Sequence, residues 1–162
     1  MPASFANLAD GGRRLAELIP PFDDRIVLAI VPNGVPAAMQ VASALGAPLA
    51  GVRIVREPEP MVIELPDVAG REVVVIDDGV ETGTAARLVG AALREAGAAR
   101  AILAVPVCPR EAEARLRGLY DDVIAVDRPM ARRALRWHYD DLDLIDEEEA
   151  LRQIAAYARP LG

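Results

Sequence analysis

Apolar residues along the chain fall into short unbroken runs, separated by stretches in which they recur at helical spacing. The runs Arg25 to Val31, Pro48 to Val55, Glu72 to Ile76, Ala101 to Val105 and Val123 to Val126 read as five strands. Three of them, VLAIV, VVVI and AILAV, are apolar at every position instead of alternating. A parallel sheet buried on both faces requires that pattern. Leu8, Leu15, Leu18 and Ile19 mark one face of an opening helix, weakened in its middle by Gly11 and Gly12 and ended by Pro20 and Pro21. Helices follow over Pro36 to Leu45, closed by Gly46, then over Ala85 to Ala96 and Arg110 to Leu119. The last runs from Asp146 to Ala158, with Asp146, Glu147, Glu148 and Glu149 in its first turn, where the helix dipole favours them. The expected fold is α/β, a doubly wound, mainly parallel five-stranded sheet with flanking helices. It forms one domain over residues 1–162, with Glu57 to Pro60 as a surface loop.

Composition narrows the function classes. The 162 residues are 52% hydrophobic and 27% charged, which supports a packed core. Acidic residues number 25 against 18 basic ones, every basic one an arginine, for a net charge of -7. Nucleic-acid or anionic-membrane binding is therefore not expected as the main activity, although a local Arg patch stays open. Cys108 is the only cysteine, so neither an intrachain disulfide nor a cysteine-ligated zinc site can form, and it reads as a buried inert thiol. No charged start with an unbroken apolar run opens the chain, and the expectation is a soluble, cytoplasmic protein. A dinucleotide fold of the G-x-G-x-x-G type is disfavoured after the first strand, and a P-loop is excluded by the lack of any lysine.

In an open parallel sheet, ligands bind beyond the carboxyl ends of the strands. The third run enters Asp77, Asp78, Gly79, Val80, Glu81, Thr82, Gly83, Thr84 and then Ala85, where a helix begins. Glu81 to Thr84 can offer successive N–H groups and two hydroxyls at a helix N-terminus, an anion cradle that needs no lysine. Asp77 and Asp78 would repel the same anion. They suit hydroxyls, or a divalent cation that neutralises the ligand. A ribose 5-phosphate satisfies both halves.

The string VVVIDDGVETGTA closely resembles the phosphoribosyl diphosphate signature of type I phosphoribosyltransferases. It departs at Gly79 and Glu81, where the family more usually has other residues. FANLADGGRRLAELI, VPNGVPAAMQVASALGAPL and WHYDDLDLIDEEE extend the resemblance over most of the chain. It implies that Asp77 and Asp78 contact the ribose hydroxyls, directly or through Mg2+, and that Glu81 to Thr84 hold the 5-phosphate. The ligand would be phosphoribosyl diphosphate (PRPP) or another 5-phosphorylated ribose, and a homodimer is the family habit. Glu81 would stabilise developing charge or accept a proton from a nitrogenous acceptor.

Two family parts are reduced. The loop after the first strand, where an Arg and two glycines are usual, is Pro32, Asn33, Gly34, which reads equally as a plain turn. The segment Arg56 to Ala69 is too short for the usual mobile loop. Arg53 and Arg56 are candidates to hold pyrophosphate in compensation. The rival function is a non-catalytic module that kept the phosphate cradle and senses a nucleotide or sugar phosphate. His138 reads as a packed or hydrogen-bonded residue rather than a base, and Trp137 as a seal for the core or an interface, or a stacking platform for an acceptor.

Overall fold

The computed structural model describes residues 4–21 and 24–157; the expected helix end at Ala158 lies outside them. Six strands form one sheet, β1 Arg25–Ile30, β2 Leu49–Val55, β3 Met61–Ile63, β4 Glu72–Ile76, β5 Arg100–Val107 and β6 Asp122–Asp127. Their order is β3-β2-β1-β4-β5-β6, and every neighbouring pair except β2 and β3 is parallel. The expected five parallel strands are all present. The sixth, β3, is a correction to the strand count: Glu57 to Pro60 is a loop as expected, and the chain turns back after Pro60 so that Met61–Ile63 pairs antiparallel with β2, Val55 facing Met61.

The helices are α1 Leu8–Ala16, α2 Val35–Leu45, α3 Thr84–Glu95, α4 Arg110–Leu116 and α5 Glu147–Tyr157. Each unbroken apolar run divides by the pleat between two cores. Ile26, Leu28, Val73, Val75, Leu103 and Val105 face α3 and α4, where Val89, Leu93, Ala112 and Leu116 meet them. Val27, Ala29, Val74 and Ile76 face the opposite layer, packing with Leu15, Val35, Ala38, Val41 and Ala150 from α1, α2 and α5. Helix α1 ends before Leu18 and Ile19. Gly11 and Gly12 are buried rather than merely tolerated; a Cβ on Gly12 would stand 2.5 Å from Ala37 O, so the pair lets α1 lie directly on α2.

From β1 the chain proceeds to β2 on one side, and from β4 to β5 on the other. The crevice between the two outgoing turns, β1 to α2 and β4 to α3, is the topological switch point at which such sheets bind ligands. A third apolar cluster, Phe5, Leu8, Val107, Leu135 and Tyr139, lies beyond the strand ends on the β5–β6 side. It seats a segment after β6 that contains a 3-10 turn, Leu135–His138. Backbone bonds tie that segment to the start of the chain: Phe5 N donates to His138 O and Asp140 N to Phe5 O.

Candidate active site at the β4–α3 turn

Strand β4 ends at Ile76 because Asp77 and Asp78 leave the apolar layer. Asp78 N donates to Asp77 Oδ1 at 2.8 Å, which folds the acidic pair back on its own backbone. Burial, then the neighbouring Asp78 carboxylate, pushes the Asp77 carboxyl well above the usual carboxylate range, and Arg56 opposes the shift. Asp78 is also raised, chiefly by burial. A half-buried pair of acids with so little positive charge around it is an electrostatic vacancy for a cation or for ligand hydroxyls.

Beyond the acids, Val80 N is spent on Val107 O. Thr82, Gly83 and Thr84 N–H have no protein acceptor among the described residues, and no side chain caps α3. Gly83 takes φ +86, a left-handed conformation that turns the chain into the helix. Thr82 and Thr84 hydroxyl oxygens lie 3.2 Å apart. Donors, hydroxyls and the positive end of the helix dipole thus converge on one cleft, as an anion requires. Arg56, Asp77, Gly79 to Ala86 and Leu135 line it, with a volume of about 150 Å³. Pockets that enclose whole drug-sized ligands run to about 300–1,000 Å³. A ligand larger than a sugar phosphate would therefore extend outside.

The C-terminal segment closes one wall. Leu135 N donates to Glu81 Oε1 at 3.0 Å, Tyr139 Oη donates to Asp78 O at 2.7 Å, and the Leu135 side chain lies against Gly79, where any Cβ would meet it at 2.5 Å. Gly79 also takes φ +150, a conformation that L side chains rarely adopt, and this with the Leu135 contact favours glycine there. Burial, and then Asp78 and Asp77, raise the Tyr139 phenol far above its ordinary value, so it stays a donor. Leu135 and Tyr139 were not among the residues expected from sequence to shape the site.

The remaining expected residues separate. Arg56 faces the cleft. Arg53 does not: its guanidinium pairs with Glu64 at 2.6 Å and Glu147 at 2.7 Å, bracing the β2–β3 edge against α5. Asn33 Oδ1 accepts from Ile145 N at 3.3 Å and Gly34 N donates to Ile30 O, whereas Asn33 N and Nδ2 have no acceptor among the described residues. His138 is buried with Nδ1 3.3 Å from Asp127 Oδ2, a packed residue as read. Cys108 is buried, its thiol pushed up to about 11 by burial. Trp137 seals no core; it is 68% exposed. No helix of the described residues is long and apolar enough to cross a membrane.

The family model for the phosphoribosyl transferase domain matches residues 8–140, which contain the cleft, both flanking turns and the closing segment. The chain belongs to that family. A Mycobacterium tuberculosis protein named "Putative phosphoribosyl transferase" is 25% identical over 201 aligned residues, covering 91% of this chain. This chain spans 45% of that relative's length. Among solved structures, a Thermus thermophilus protein superposes with TM-score 0.82 at 24% identity, covering 96% of this chain and 99% of its own. A purine phosphoribosyltransferase from Pyrococcus horikoshii superposes with TM-score 0.59 at 18% identity, covering 75% and 87%. The fold is that of the type I phosphoribosyltransferases, with a short antiparallel strand at the sheet edge.

Proposed function

We propose that this phosphoribosyltransferase domain binds PRPP and transfers its ribosyl 5-phosphate to a nitrogenous acceptor, releasing pyrophosphate. The observation that carries the reading is the uncapped α3 N-terminus, with unspent Thr82, Gly83 and Thr84 N–H groups, directly beside the half-buried Asp77–Asp78 pair. The donors suit the 5-phosphate. The acids suit the ribose hydroxyls, and their raised protonation range indicates a site completed by positive charge.

Mg2+ fits this donor set: it is commonly held by one or two carboxylates together with ligand phosphates and water, not by an all-protein cage. Asp77 and Asp78 would hold it through the ribose side, and it would neutralise the diphosphate as the leaving group departs. Arg56 adds the cleft's own positive charge. Glu81, held by Leu135 N, would stabilise charge or take a proton from the acceptor.

The rival reading, a sugar-phosphate or nucleotide sensor, draws on the first turn, where Gly34 and Val35 N–H are bonded within the fold and Pro32, Asn33 and Gly34 bring no arginine, so that pyrophosphate would find little charge there. Calorimetric titration separates the two. Magnesium-dependent binding of PRPP at least tenfold tighter than ribose 5-phosphate supports transfer; equal affinity for both supports the sensor; binding of neither rejects both.

A further inference from the structure

The segment after β6 carries chemistry that the phosphate cleft does not use. Arg132, Arg133 and Arg136 are exposed and have no carboxylate partner among the described residues, as is also true of Arg87 and Arg115 elsewhere on the surface. Trp137 and Met130 are 68% and 75% exposed in the same stretch. A cavity of about 570 Å³ opens there, lined by Ser4, Asp127, Met130, Arg133, Trp137 and His138, among others. Its volume falls in the range of small-molecule sites.

The polar groups of this cavity are partly committed. Asp127 Oδ2 receives the Ser4 hydroxyl at 3.0 Å and faces His138 Nδ1 at 3.3 Å. An imidazole that donates through Nδ1 keeps Nε2 as an acceptor, and His138 Nε2 is buried without a hydrogen-bond partner. Arg133 is the free positive charge, and Trp137 and Met130 are the apolar walls. A cavity lined by both a guanidinium and an indole suits a flat, anionic ligand whose ring can stack and whose acid can pair.

Position decides what such a ligand would be. The segment follows β6, two strands beyond β4 on the side away from β1. Arg53, Arg56 and the first turn lie on the opposite side, with β2 and β1. Leu135, which lines the phosphate cleft, stands two residues from both Arg133 and Trp137, a span of no more than about 7 Å along the chain. The cavity therefore lies next to the Leu135 wall of the phosphate cleft, on the side opposite the first turn.

We propose that the cavity at Arg133 and Trp137 binds a planar aromatic anion, a heterocyclic carboxylic acid or its equivalent, and that the acceptor of the transfer belongs to this class. Calling the ligand an acceptor rests on the transfer reading above; its class rests on the cavity. A neutral base leaves Arg133 unpaired and forfeits the preference.

Trp137 is the only tryptophan, and its fluorescence reports this cavity and the neighbouring one lined by Arg136 and Tyr139; Arg133, which lines only the first, tells the two apart. We would titrate the protein with nicotinate against nicotinamide and with orotate against uracil, excited at the indole edge. In parallel, ribose 5-phosphate binding would be followed by calorimetry. At least one acid is expected to quench Trp137 and bind tenfold or more tightly than its neutral counterpart. Arg133→Ala is expected to abolish that preference while leaving ribose 5-phosphate affinity unchanged, and Arg132→Ala, outside the cavity lining, to leave both intact. Equal response to acid and neutral compound, no response to either acid, or a preference that survives Arg133→Ala overturns the proposal. So does a Trp137 signal that tracks protein concentration instead of ligand, which would mark the face as a contact between copies. Failure of ribose 5-phosphate to bind the wild type, with acid binding preserved, would instead strike the transfer reading alone.

Discussion

The two turns that flank the switch point begin alike and end as opposites. Both follow a buried apolar strand and both enter a helix through glycine. In the first, Gly34 N is bonded to Ile30 O, Val35 N to Pro32 O, and Pro32 and Pro36 have no N–H to give. Asn33 Oδ1 accepts from Ile145 N, and Asn33 N and Nδ2 are the donors of this turn left without an acceptor among the described residues. In the second, Thr82, Gly83 and Thr84 keep their N–H groups free among the described residues, and Asp77 and Asp78 remain only partly satisfied. The first turn is built to hold two layers together and the second to hold something else. Equivalent position in a fold does not make a site; polar groups left without protein partners do.

The largest effect should come from the glycines. A Cβ on Gly34 would stand 2.5 Å from Ile76 O and 2.7 Å from Ile30 O, all backbone, whereas one on Gly83 would find its nearest neighbours at 3.8 Å. Gly34→Ala is expected to destabilise the fold by about 3 kcal/mol, and Gly83→Ala by about 1 kcal/mol through its positive φ alone. Urea unfolding of both variants checks the ratio, and equal costs would erase the distinction between the turns.

Next is Thr84→Ala, expected to weaken ribose 5-phosphate about tenfold, the scale of one hydrogen bond to a charged group. Asn33→Ala should change that affinity less than twofold while costing about 1 kcal/mol of stability by freeing Ile145 N. Calorimetry on the pair reads the affinities, and urea unfolding the stability.

The acid pair gives a signed pH dependence. Asp77 keeps its proton in the folded state to a higher pH than an unfolded aspartate, which titrates at about 4. Between that value and the raised folded value, the folded protein holds a proton the unfolded chain has lost, so stability falls as pH rises through the window. Asp77→Asn should flatten this slope and raise Tm at neutral pH by about 2–4 °C, the shift that about 1 kcal/mol gives in a chain of this size, while abolishing magnesium-dependent PRPP binding. A melting point that drops instead would show that the carboxylate serves the fold and not the ligand. Smallest is Arg53→Ala, expected to leave PRPP affinity unchanged and to cost no more than about 1 kcal/mol, as exposed ion pairs do.

What the sequence made legible follows from where information is written in side chains. Strand β4 and its turn were readable to the residue, because an unbroken apolar run ends abruptly in two acids and a TGT loop. Strand β3 was not: Met61, Val62 and Ile63 are too few to show a period, and Pro58 and Pro60 nearby read as loop. Nor was the closing wall. Leu135 is a lone apolar residue among arginines, and its bond to Glu81 is made by a backbone N–H that any residue would offer. Arg53 had the right charge near the right strand end, yet two acids distant in sequence, Glu64 and Glu147, claim it.

The most direct test of the contrast between the turns is an amide chemical-shift map of the 15N-labelled protein on titration with ribose 5-phosphate. Large, saturable shifts are expected at Glu81 to Ala85, with the Gly34 and Val35 amides, already bonded within the first turn, almost still. Shifts centred on Asn33 to Val35 with a silent Thr82 to Thr84 would contradict this, placing the phosphate at the turn whose Gly34 and Val35 amides are already bonded within the fold.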